Sequence, residues 1–162
     1  MNITPGGTSR PLASQLSDEL AALRNFVAIL QQEQQTLVSG DLDRLMELVK
    51  DKTDLAAQLG QYADQRTRML TSASLTPDQA GMEKWLTRLA PADPAHSAWK
   101  NLIVLSAEAQ ALNESNGKLI AMRMQHNQQA LNVLLAASNQ ATVYGPDGQT
   151  KSAGGGRLFG SA

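Results

Sequence analysis

Cysteine is absent from the 162 residues, which excludes disulfides and thiolate metal sites and fits a reducing compartment. Aromatic residues make up only 4% of the chain. No run rich in Val, Ile, Thr and Tyr alternates with period two, so strands are not expected. Charge of either sign is not in excess. Lys and Arg number 14 against 15 Asp and Glu, a formal net charge of −1, which supplies no global field to gather nucleic acid or an anionic membrane. No segment approaches the roughly 18 consecutive apolar residues of a membrane span. The opening residues Met1 to Gly7 have neither the basic start nor the apolar run of a secretory signal. These absences lead to the expectation of a cytoplasmic protein without membrane insertion.

What is present is Leu, Ala and Gln at helical spacing. Apolar residues reach 42%, carried by types that suit helices and long seams. After a Pro/Gly-rich start, Leu16, Leu20, Leu23, Val27, Leu30, Gln34 and Leu37 recur at alternating steps of four and three. That is a heptad seam with one polar break, flanked by Phe26 and Ile29, and it predicts a helix over residues 14–38. Gly40 suits the left-handed position that ends a helix, and Asp41 suits the cap of the next. The second helix, over 41–71, is expected to seat Leu45, Val49, Lys52, Ala56, Leu59, Ala63, Arg66 and Leu70 in one register, with Leu48, Leu55, Tyr62 and Met69 beside it. A turn this short makes the two helices antiparallel neighbours.

Thr76 and Pro77 form a cap-plus-proline start for a short third helix reaching about Ala90, with Trp85, Leu86 and Leu89 inward. Asp93 and Pro94 repeat the signal. A last helix then runs to about Ala141 on the seam Leu102, Leu105, Ala109, Leu112, Asn116, Leu119, Arg123, His126, Ala130, Val133 and Ala137. The expected fold is all-α: a long antiparallel hairpin, a short helix and a very long C-terminal helix in a coiled-coil-like bundle. Residues 1–11 and 142–162 are expected to be flexible flanks of a helical domain over 12–141. At 1.5 Å per residue the second helix spans roughly 45 Å and the last roughly 70 Å, an overshoot of something like 20 Å. Apolar residues without an internal partner mark a binding surface. The candidates are Leu119, Ile120, Met124, Leu131, Val133, Leu134 and Leu135, the first three shared with closure of the bundle.

Chemistry is thinly represented. The two histidines, His96 and His126, lie far apart. Asp93-x-x-His96 is half of a carboxylate metal pattern, whereas bundle metal sites take Glu-x-x-His from two inward faces, and neither face exists here. No metal, cofactor or enzymatic activity is expected. Gly154 to Gly156 follow no strand and open no helix, so they do not cradle phosphate. Polar Asn116, Arg123 and His126 on the seam either set register or mark where the dry core ends after Leu119.

In their spacing, Glu33, Leu37, Gly40, Asp41, Leu45, Leu48, Lys52 and Leu55 resemble the first half of the FlgN family of flagellar export chaperones. Asn113, Asn116, Gly117, Leu119, Ile120 and Arg123 match a second-half segment, and Tyr144, Gly145, Asp147, Gly148 and Gln149 its C-terminal turn. Order and spacing agree over about residues 12–150, except for 71–95. The resemblance implies a cytoplasmic chaperone whose partners are the flagellar hook-filament junction proteins and an export-gate component. It would keep the clients' C-terminal helices from polymerising early and deliver them for type III export. Tyr144 is, on this resemblance, an export-gate docking residue; its alternative is a hydrophobic cap on the last turn. A self-associating structural coiled-coil adaptor is the rival reading, and a homodimer is compatible with either.

Overall fold

The structure, a computed structural model, describes residues 11–143, and side chains as far as residue 139. Four helices follow one another: α1 (Leu12–Ser39), α2 (Leu42–Ser72), α3 (Gln79–Leu86) and α4 (Pro94–Val143). No strand occurs among the described residues, so the expected all-α class holds. The chain divides into two units, Met1–Ile120 and Ala121–Ala162.

The α1–α2 turn follows from its two punctuating residues. Gly40 adopts φ 84° and its N–H donates to Thr36 O at 2.8 Å, the left-handed cap that a Cβ would penalise. Asp41 then accepts from the Arg44 N–H at 3.1 Å, satisfying one orphan donor of α2. α2 ends differently. Ser74 takes the left-handed conformation, φ 56°, while the Leu75 N–H donates to Leu70 O at 2.9 Å and the Ser74 N–H to Thr71 O at 3.0 Å. This is a Schellman motif with serine where glycine is usual. Leu75 folds back onto the core that holds Leu70 and Met69.

α3 corrects the expected start. The cap is Asp78, which accepts from the Gly81 N–H at 2.8 Å and from the Thr76 hydroxyl at 2.6 Å. Those two donors hold its carboxyl below the usual carboxylate range. The helix ends at Leu86 instead of reaching Ala90. Thr76 serves the cap instead of being it: its hydroxyl donates to the Asp78 carboxyl, and its carbonyl passes so close to Gly81 that a Cβ there would overlap it. Leu86 is buried, with Trp85 and Leu89 half-buried against the core. Asp93 accepts from the Ala95 N–H at 2.9 Å and opens α4 at Pro94.

α1 is the central helix of the first unit. Its seam residues Leu16, Leu20, Leu23, Val27, Leu30 and Leu37 are all buried. α1 and α2 pack most closely, and two ion pairs fix their register. Glu33 accepts from Lys52 Nζ at 2.9 and 3.0 Å, and Glu19 pairs with Arg66. Both glutamates are buried, and each pair stands two heptads from the other on both helices, so one antiparallel register satisfies both. That register turns Leu45, Leu48, Lys52, Leu55, Leu59, Tyr62, Arg66 and Met69 inward. Val49 and Ala56, expected in the seam, are exposed, whereas Leu48 is 1% exposed.

Candidate partner-binding surface

α4 begins as a core helix. Ala95, Leu102, Ala109 and Asn116 are buried, and Leu105, Leu112 and Leu119 half-buried, at the spacing of a continuous seam. Polar contacts tie this segment to the hairpin. The Arg66 guanidinium lies 5.4 Å from the centroid of the Trp99 ring, within the range of a cation–π contact. Seventeen positions on, Asn116 Nδ2 donates to Leu30 O at 2.8 Å and to Glu33 Oε2 at 2.7 Å. Beside it, Gln34 Nε2 donates to the Ser115 hydroxyl at 3.2 Å. α4 therefore ascends along α1 and runs back along α2. The polar break at Gln34 and the polar seam position at Asn116 are the points where helices are matched to one another.

Burial then stops. Leu119 is half-buried and Ile120 is 39% exposed, and these two close the first unit. Every residue from Ala121 to Asn139 is exposed. The apolar side chains of this second segment are Met122, Met124, Leu131, Val133, Leu134 and Leu135, each between 49% and 68% exposed. At about 100° per residue, Met124, Leu131, Leu134 and Leu135 fall in one stripe. Val133 lies on the other side of the helix, next to Met122, so the structure does not bring all the sequence candidates onto one face. Met122 was not among the candidates; helical periodicity puts it on the side of Val133. From Leu119 to Val143 the chain contains no Asp or Glu, and its only ionisable side chains are Arg123 and His126. The polar surface is instead amide, with Gln128 Nε2 donating to Asn132 Oδ1 at 3.1 Å. Tyr144 lies outside the described residues.

This surface offers apolar area and neutral hydrogen-bonding groups. Burying one such Leu or Met against a partner stabilises by roughly 1.5–3 kcal/mol, and a helix with a 3–4 apolar spacing is met most fully by another helix. Among the described residues no three His, Asp or Glu side chains converge as metal ligands would. His96 instead reaches Ala90 O with Nε2 at 3.2 Å beside the start of α4. Among the described residues no helix is long and apolar enough to cross a membrane.

The family model described as FlgN protein matches residues 8–152. The chain belongs to the FlgN family. Membership ties it to flagellum synthesis. The flagella synthesis protein FlgN of Yersinia enterocolitica is 33% identical over 147 residues, covering 88% of this chain and 90% of that protein. Its namesake from Proteus mirabilis is 29% identical over 143 residues, covering 86% and 90%. The Escherichia coli K12 FlgN protein is 27% identical over 143 residues, covering 87% and 91%. No solved structure matches the chain significantly.

Within this FlgN-family chain the motif residues take distinct structural parts. Glu33, Lys52 and Asn116 meet inside the first unit, and Gly40 with Asp41 makes the hairpin turn. Sequence reasoning had placed Lys52 and Arg66 in a seam without their partners. The signal for Glu19 and Glu33 was available: two acids and two bases, each pair two heptads apart, on either side of one short turn.

Proposed function

We propose that this chain is a cytoplasmic export chaperone for flagellar hook-filament junction proteins. It covers their amphipathic C-terminal helices, keeps them from assembling early, and brings them to the type III export apparatus. The observation that carries this reading is the exposed stripe of Met124, Leu131, Leu134 and Leu135 on a segment without a single carboxylate. Such a stripe suits an apolar helix face supplied from outside. Family membership supports flagellar proteins as the source of that helix. Leu119 and Ile120, at the end of the first unit, serve that unit's closure before they serve a client. Tyr144 and the Gly145 to Gly148 turn dock on an export-gate component, an aromatic ring with a polar tip being a common interface anchor.

The test is titration of the full chain with a C-terminal peptide of a junction protein. Leu131→Ala with Leu134→Ala is expected to weaken binding more than tenfold and leave the thermal midpoint almost unmoved. Val133→Ala is expected to change binding less than threefold, since it stands off the stripe. A large loss of stability with normal binding would assign the leucines to folding. If light scattering shows a dimer that the double substitution dissociates and no peptide binding, the chain is a self-associating adaptor. Tyr144→Ala is expected to retain peptide binding and impair secretion in cells; normal secretion would make Tyr144 a cap on the last turn.

A further inference from the structure

Two junctions of three helices are built on α1, each around a buried glutamate. At the upper one, Glu33 accepts from Lys52 of α2 and from Asn116 Nδ2 of α4. At the lower one, two heptads back on α1 and two heptads on along α2, Glu19 pairs with Arg66. The α4 residue at this level is Trp99, whose ring centroid lies 5.4 Å from the Arg66 guanidinium. Here one carboxylate oxygen, Glu19 Oε2, is buried and accepts from no group of the protein.

Two donors close by are in the same position. Among the described residues, Gln15 Nε2 and Trp99 Nε1 are also buried without a hydrogen-bond partner in the protein. The fourth such atom, Asn116 Oδ1, belongs to the upper junction. Gln15 and Glu19 are each 6% exposed and stand one turn apart on α1, so their side chains are neighbours. Register brings Trp99 beside them. Asn116 meets Leu30 and Glu33 on α1; seventeen positions earlier on both helices stand Trp99, and Ala13 and Leu16. The indole is therefore level with Gln15 and about three residues, roughly 4.5 Å, below Glu19. Its N–H falls short of Glu19, where Asn116 reaches Glu33 directly.

We infer that the lower junction is a binding site for one buried water molecule, which joins α1 to α4. The water accepts from the Gln15 amide and from the Trp99 indole N–H, and donates to Glu19 Oε2. Three hydrogen bonds are the usual complement of an internal water. The directions also suit it: two donors and one acceptor meet a molecule that accepts twice and donates. The Arg66 charge already balances Glu19, so the bridging group needs no charge of its own. Direct pairing does not do the same. Gln15 turned onto Glu19 leaves the indole N–H buried and unmatched, which protein interiors avoid.

The full chain is tested first without substitution. In a crystal structure that shows ordered solvent, one density peak is expected within about 2.7–3.2 Å of Gln15 Nε2, Glu19 Oε2 and Trp99 Nε1. In solution, the Trp99 indole proton is expected to give a rotating-frame NMR cross-peak to water while exchanging slowly with deuterium; Trp85→Phe assigns the signal. Gln15→Met and Trp99→Phe are each expected to lower the folding equilibrium constant about tenfold or more. Made together, they are expected to cost at least threefold less than the product of the two, because both act through one water. Density that joins Gln15 directly to Glu19, a Trp99 N–H bonded to a protein oxygen, or independent effects of the two substitutions overturns the inference.

Discussion

Asn116 donates to Glu33 across 2.7 Å, and the same Glu33 carboxylate accepts from Lys52 at 2.9 and 3.0 Å. Residues from three helices are thereby joined at one buried carboxylate, whose side chain is only 3% exposed. A carboxylate taken out of water needs its charge and lone pairs matched, and here one cation and one amide do so. The contact lies one turn below Leu119, where burial ends. It therefore anchors the last buried stretch of α4.

Removing that carboxylate leaves Lys52 without its acceptor and Asn116 with only the Leu30 carbonyl. Glu33→Ala is expected to cost about 3 kcal/mol in urea unfolding. Glu33→Leu together with Lys52→Leu is expected to recover most of that loss, since apolar side chains replace a buried ion pair at little cost. A loss below about 1 kcal/mol for the single change would mean that the pair is solvated and does not lock the hairpin.

The helical glycines divide by their surroundings. Gly81→Ala drives a Cβ against the Thr76 carbonyl, which is backbone and has little room to yield. It is expected to destabilise by about 2 kcal/mol or more and to shift the fluorescence of Trp85 on the same helix. Gly60→Ala and Gly117→Ala meet nothing within 4 Å and are expected to stabilise by about 0.5–1 kcal/mol each. Equal effects at all three positions would show that the close pass at Thr76 relaxes freely.

Ser74 sits at φ 56° in the Schellman turn, a conformation that costs an L-residue roughly 1–2 kcal/mol relative to glycine. Ser74→Gly keeps both turn hydrogen bonds and is expected to raise stability by about 1 kcal/mol, part of the relief being offset by the freer unfolded chain. The urea midpoint should rise with an unchanged m-value. A fall in midpoint would place the Ser74 side chain in a stabilising role of its own.

Asp78 connects the α3 cap to pH. Its carboxyl is held below the usual range first by the Thr76 hydroxyl and then by the Gly81 N–H. Because the folded value lies below the unfolded one, near about 3.9, the cap's contribution is fully present above that unfolded value. It is lost as pH falls through the lower folded value. A carboxyl-detected NMR titration should find Asp78 protonating below an ordinary aspartate. Asp78→Asn is expected to remove that group's share of the acid dependence of stability; an unshifted Asp78 would mean that the cap opens in solution.

The amino-acid sequence by itself determined the helical class, the Gly40–Asp41 turn, the α1 seam and the point near Leu119 where burial ends. These depend on local period, on caps and on a left-handed glycine, all set by residues a few positions apart. Tertiary structure decided the α2 register, in which Leu48 goes inward and Val49 outward. Adjacent apolar residues differ by only about 100° around a helix, so either stripe satisfied the spacing. What chose between them were Glu33 with Lys52 and Glu19 with Arg66, partners 19 and 47 residues apart in the chain. A carboxylate's burial is legible only when its distant cation is known, because the charge alone favours water. The α3 cap is a milder case: Thr76 and Asp78 are both capping residues, and in the folded chain it is Asp78 that accepts from the Gly81 N–H, with the Thr76 hydroxyl donating to it.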